Sequence, residues 1–170
     1  MQDLRFVEGN LENAEVVALL ELHLRGMAEI TPAEFIFALS IDGLKAKDVR
    51  FWSAWHDEGE DGENLVGCGA MRELADASCE IKSMRTATPY LRRGVGQAIL
   101  QFILAQAAER GLTRAYLETG SQAGFAAARQ LYEANGFTYC GAFADYEDNP
   151  TSVFMLKALG GLGQGWLECC

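Results

Sequence analysis

The sequence predicts a mixed α/β fold in which helices pack on one sheet, and three observations predict it. Apolar residues recur at helical spacing in several stretches, Val16, Leu19, Leu20 and Leu24 among them. Short strand-like runs alternate with these stretches. One strand-helix-strand passage in the middle of the chain has the length of a right-handed crossover, so its two strands are expected to run parallel. The whole reads as one domain over residues 1–159, followed by a Gly-rich tail at 160–170 expected to be disordered.

In order, "DLRFVEG" reads as a first strand. "NAEVVALLELHLRGMAEI" reads as a helix with Asn13 as its N-cap. "TPAEFIFALSIDGL" follows as a second helix, with Pro32 in its first turn and Gly43 near its end. "VRFWSAW" and "ENLVGCGAMREL" form a hairpin about the acidic insert "HDEGEDG", and "SCEIKSMRT" is a further strand. Residues 96–110 form a helix closed by Gly111, and "TRAYLET" is the strand after it. "GFAAARQLYEAN" is a last helix stopped by Asn135-Gly136, and "FTYCGAF" and "SVFMLKAL" close the sheet. The predicted order is β-α-α-β-β-β-α-β-α-β-β.

Charge and composition narrow the function classes. The net charge is −10; residues 1–80 carry 17 acids and 6 bases, and residues 81–170 carry 7 acids and 8 bases. An acidic first half argues against a nucleic-acid partner, because lysine and arginine supply most of that affinity. No apolar run approaches the roughly 20 residues a membrane span needs, and "MQDLRFVEGN" lacks the basic start and apolar core of a secretory signal. A cytoplasmic protein with no membrane partner is expected. The five cysteines form no C-x-x-C pair and the two histidines, His23 and His56, have no ligand spacing, so neither disulfides nor a metal is expected.

The stretch "YLRRGVGQAIL" (90–100) carries the clearest chemistry. Gly94 and Gly96 let the backbone approach a ligand closely. The N–H groups opening the next helix point outward with its dipole, and Arg92 and Arg93 add positive charge. Together these make a seat for pyrophosphate. A P-loop would need Lys-Ser/Thr after the second glycine, where Gln97 stands. A dinucleotide fingerprint would need a third glycine near Ile99, although Glu118 mimics the ribose-binding acid of that fold.

Arg93, Gly96 and Ala98 match an Arg/Gln-x-x-Gly-x-Gly/Ala signature between a strand and a helix, and "LYEANGF" at 131–137 matches a second. On both motifs, in this order, the chain resembles the GCN5-related N-acetyltransferases (GNAT), and within them a bacterial subgroup of uncertain substrate. The resemblance implies a GNAT fold, with a mostly antiparallel sheet whose central parallel pair splays apart. It implies that Arg92, Arg93, Gly94, Val95, Gly96, Gln97 and Ala98 bind the pyrophosphate of acetyl-CoA. It further implies that Met84, Arg85 and Thr86 pair through their backbone with its pantetheine arm. Many members carry an asparagine where this chain has Phe125; here that contact falls to backbone, or to Ser121 and Gln122.

The resemblance also sets a reaction, acetyl transfer to a primary amine of a small molecule by direct attack in a ternary complex. An amine of pKa near 10.4 must lose a proton at neutral pH, at a cost of roughly 4.6 kcal/mol. Glu80, 14 residues before Gly94, is the candidate base; its bland alternative is a strand glutamate paired with Lys82 on the same face. Tyr132 is the candidate acid for the departing thiolate, or else a core aromatic. The acceptor pocket is expected among His23, Glu29, Glu34, Trp52, Trp55 and Arg72. Trp52 and Trp55 face opposite sides of their strand, so one of them is expected at the pocket. Asp145, Glu147 and Asp148 form either an acidic rim or a solvated loop. Two other functions stay open, a non-catalytic acyl-CoA-binding module and acetylation of a protein lysine; a homodimer is compatible with any of the three.

Overall fold

A computed structural model describes residues 4–57 and 62–160. The tail from 161, with Trp166, Cys169 and Cys170, and residues 58–61 of the acidic insert lie outside the described residues. The elements run β1 (Leu4–Glu8), α1 (Ala14–Ile30), α2 (Ile41–Leu44), β2 (Val49–Asp57), β3 (Glu63–Leu74), β4 (Ser78–Thr86), α3 (Val95–Glu109), β5 (Arg114–Gly120), α4 (Ala126–Ala134), β6 (Thr138–Cys140) and β7 (Ser152–Ala158). They build a seven-stranded sheet of order β1-β2-β3-β4-β5-β7-β6. Only β4 and β5 pair in parallel; the other neighbours are antiparallel.

Helices cover both faces. On one side α3 lays Val95, Ile99, Leu100 and Ile103 on Val66, Met71, Ile81 and Leu117. Each such side chain contributes about 1.5–3 kcal/mol by leaving water. Helix α3 crosses β3 so closely that a Cβ at Gly69 would come within 2.7 Å of Ile103 Cδ1. On the other side α1 sets Val16, Leu19 and Leu20 against Phe51, Leu65 and Ala70. Asn13 caps α1 as expected, its side chain accepting from the N–H groups of Glu15 and Val16 at 2.9 and 3.2 Å.

The second helix is much shorter than expected. Between 31 and 44 the chain makes one 3-10 turn at Ala33–Phe35 and then the single turn of α2, which Ser40 caps by accepting from Gly43 N–H. Pro32 follows the last turn of α1, and the aromatic and β-branched run Phe35-Ile36-Phe37 gains more from half-burial than from a helix. The strand expected at 137–143 is likewise only Thr138–Cys140.

One irregularity positions the site. Along β3 and β4, Ala70 faces Lys82 and Cys68 faces Arg85, so Ser83 and Met84 together oppose the lone Gly69. This is a β-bulge, with Ser83 at φ +53°. The extra residue bends β4. Its pairing with β5 runs only from Ser78 and Arg114 to Ile81 and Leu117. Beyond that point the two strands part.

Candidate active site

The arginine-glycine stretch takes the form its sequence suggested. Residues 91–94 turn from a 3-10 segment (Thr88–Tyr90) into α3. Gly94 is the N-cap at φ +83°, and Arg92 also has positive φ, +60°. No side chain caps α3, and the first N–H to find a helical acceptor is that of Ala98, on Gly94 O at 3.0 Å. The N–H groups of Val95, Gly96 and Gln97 therefore keep their hydrogen-bonding capacity for something else. Arg92 and Arg93 are exposed beside them, the Arg93 guanidinium 5.5 Å from the centre of the Tyr90 ring.

A cavity opens where β4 and β5 part. Its walls include Lys82, Ser83 and Met84 of β4, Glu118 and Thr119 of β5, Tyr132 of α4, His23 of α1 and Phe125. Ser83 is 9% exposed, and its Oγ has no hydrogen-bond partner. Tyr132 is buried against Phe137, and burial first, the Glu118 charge second, pushes its phenol pKa upward. The hydroxyl therefore keeps its proton at any working pH. Burial, reinforced by Arg85, holds His23 down at about 4, so that imidazole is neutral at pH 7.

Glu80 is placed differently. It is 2% exposed, and its Oε1 accepts from Lys82 Nζ at 2.8 Å and from the Tyr146 hydroxyl at 2.5 Å. Glu80 lines an adjoining cavity with Phe37, Leu39, Arg72, Asp145 and Tyr146, and the two cavities share Phe37 and Lys82. Tyr146 comes from the segment between β6 and β7 and meets Phe37 edge-on, ring centres 5.0 Å apart. The loop aromatics thus roof the charged face of β4. Burial, then the Glu80 charge, pushes the Tyr146 phenol up as well.

The structure gathers some of the sequence candidates and scatters others. Tyr132, Met84, His23 and Phe125 meet at the first cavity, and Glu80, Arg72 and Asp145 at the second. Glu29 and Glu34 are exposed and line neither. Trp52 and Trp55 do face opposite sides, but both are core residues, at 3% and 7% exposure, and neither reaches these cavities. The expectation that one tryptophan lines the pocket is corrected; each ring is worth more packed in a core than held at a rim. Sequence reasoning passed over Glu118 as a residue of this cavity, the Tyr146 hydroxyl's bond to Glu80, and the Phe37–Tyr146 roof. Only Glu118 carried a local signal, as an acid at a strand end facing a glycine-rich turn.

The chain matches the model of the acetyltransferase (GNAT) family over residues 14–137. It belongs to that family. It is 47% identical over 150 residues to the uncharacterized N-acetyltransferase YsnE of Bacillus subtilis, covering 88% of this chain and 96% of YsnE. It is equally similar, at 47% over 150 residues, to the uncharacterized N-acetyltransferase YedL of Escherichia coli, covering 88% and 91% of the two chains. The fold is shared with the PaiA N-acetyltransferase of Thermoplasma acidophilum, solved in complex with coenzyme A. Those two chains superpose with a TM-score of 0.68 at 17% identity, over 92% of this chain and 99% of that one. The protein is an acyltransferase. Among the described residues no group of three or more His, Cys, Asp or Glu side chains could hold a metal, and no helix is long and apolar enough to cross a membrane.

Proposed function

We propose that the chain is an acetyl-CoA-dependent N-acetyltransferase that acetylates the primary amine of a small molecule by direct attack in a ternary complex. The observation that carries this reading is the cavity between the parted strands. It joins a protonated, buried Tyr132 on one side to a charged, aromatic-roofed pocket on the other. Acetyl-CoA supplies the activated acetyl group. For it, the uncapped N–H groups of Val95, Gly96 and Gln97 with Arg92, Arg93, Gly94 and Ala98 form the pyrophosphate seat. Met84, Arg85 and Thr86 lie on the part of β4 that no longer pairs with β5, and so offer backbone groups to an amide-bearing arm.

Tyr132 donates its proton to the departing sulfur. The described cysteines support direct attack rather than an acetyl-cysteine intermediate. Burial pushes both the Cys68 and Cys79 thiols up to about 12 and raises Cys140 too, so none of the three offers a thiolate. The test is mass spectrometry of acetyl-CoA incubated with a panel of amines, amino acids, polyamines and lysine peptides. Turnover of a small amine class is expected. Turnover of lysine peptides alone would make this a protein acetyltransferase, and acetyl-CoA binding with no turnover would make it a non-catalytic module.

A further inference from the structure

The reaction needs a group that removes a proton from the acceptor ammonium, and the two carboxylates on this face of the sheet, Glu80 buried and Glu118 half-buried, are not equivalent. Both lie on one face, Glu80 on β4 beside Tyr116, and Glu118 two residues beyond Tyr116 on β5. Glu80 is occupied: one oxygen takes both the Lys82 ammonium and the Tyr146 hydroxyl. Protonating it would strand Lys82, which is itself 9% exposed. Glu80 also lies outside the cavity that holds Tyr132.

Glu118 has the opposite set of properties. It is the first residue of β5 past the last pair with β4, so it stands where the strands begin to part. It lines the same cavity as Tyr132 and the unpartnered Ser83 hydroxyl. Among the described residues no cation pairs with it, and its one hydrogen bond comes from Ser152 Oγ on β7, at 2.6 Å to Oε1. We propose that Glu118, oriented by Ser152, is the base that takes the proton from the acceptor amine. This rests on the acetyltransfer reading above.

The steps balance with the groups at hand. Glu118 takes one proton from the ammonium, and the freed amine forms a C–N bond to the thioester carbonyl carbon. The C–S bond then breaks, and Tyr132 protonates the thiolate. The nitrogen sheds its second proton to restore the tyrosine, and Glu118 releases the first to water. The surroundings suit this role. Burial raises the Glu118 pKa above the ordinary carboxylate value, against the opposing pull of Ser152 and of Lys82 and with a further push from Glu80. The remaining groups that face the cavity, His23 from α1, Tyr132 from α4 and Tyr146 over the adjoining pocket, are neutral at pH 7.

The experiment compares wild type, Glu118→Gln, Glu118→Asp and Glu80→Gln on the amine found to turn over. It reads kcat/KM against pH, acetyl-CoA affinity by calorimetry, and melting temperature. Glu118→Gln is expected to lower kcat/KM about 100-fold or more, to remove the acidic limb of the profile, and to leave acetyl-CoA affinity within about twofold. Glu118→Asp should restore the acidic limb at a reduced rate. Glu80→Gln should keep the limb. A Glu118→Gln protein that folds, binds acetyl-CoA and retains both rate and limb would overturn the role of Glu118 alone. A wild-type protein that binds acetyl-CoA and turns over no amine would overturn the acetyltransferase reading and this role with it.

Discussion

Lys82 donates to Glu80 at 2.8 Å with both side chains almost wholly withdrawn from water, at 8% and 3% exposure. Such a pair adds little over a well-packed apolar substitute, but removing one member alone leaves a buried charge. Glu80→Leu is expected to lower unfolding free energy by about 3–5 kcal/mol. The double variant Glu80→Leu with Lys82→Met should recover most of it. Urea denaturation followed by circular dichroism measures both, and equal losses in the single and double variants would contradict the expectation.

The two glycines of the proposed phosphate seat separate stability from binding. A Cβ at Gly94 would meet nothing within 4 Å, so the cost of Gly94→Ala comes from its φ of +83°, about 1–2 kcal/mol. A Cβ at Gly96 would rest 3.4 Å from Leu131 Cδ2 and Thr86 Oγ1, an ordinary contact inside a helix. Gly96→Ala should therefore leave the fold as stable or gain about 0.5–1 kcal/mol, while its methyl group obstructs the approach of a phosphate. Melting temperature unchanged or raised with weakened acetyl-CoA binding is the expected pattern; tighter binding would contradict it.

Tyr132→Phe keeps the ring and its packing on Phe137 but removes the proton donor. The expected result is a fall in kcat of about 100-fold with acetyl-CoA affinity and melting temperature unchanged. Because the phenol pKa is raised, the wild-type profile should show no loss of activity near pH 10 that this substitution removes. Steady-state kinetics from pH 6 to 10 read both effects.

Acid should weaken the fold through His23. Its pKa falls from 6.5 to about 4 on folding, so between those values the unfolded chain holds a proton that the folded one lacks. Stability from this group is intact above pH 6.5 and declines as pH falls towards 4, by roughly 3 kcal/mol. His23→Leu should flatten that part of the stability curve, as measured by urea midpoints at half-unit pH steps. An unchanged slope would place the acid sensitivity elsewhere.

Much of this architecture was legible because its signals are local. The N-cap at Asn13, the stop at Asn135-Gly136 and the turn at Gly94 each act within a few residues. The failures share a cause of longer range. The run from Thr31 to Leu44 has helical spacing, but Phe37 is drawn out to Tyr146, which lies 109 positions along the chain. The site divides the same way. The proposed phosphate seat is a contiguous stretch and so could be proposed from sequence, whereas choosing between Glu80 and Glu118 depends on a bulge that redirects β4 and on Ser152 from β7. Spacing along one strand identified the Glu80–Lys82 pair as a possibility; only the fold shows how completely Lys82 and Tyr146 occupy that carboxylate.

The parting of β4 from β5 places two bare strand margins in the middle of a sheet. A bare margin ordinarily lies at the outside, where it templates aggregation with other chains. Here the margins lie inside the protein, with Met84, Phe125 and Tyr132 lining the gap between them. On the proposed reading, a slender arm bearing amides takes the place that a neighbouring strand would. On that reading an adhesive seam, set inside the sheet and not at its rim, is kept for a ligand.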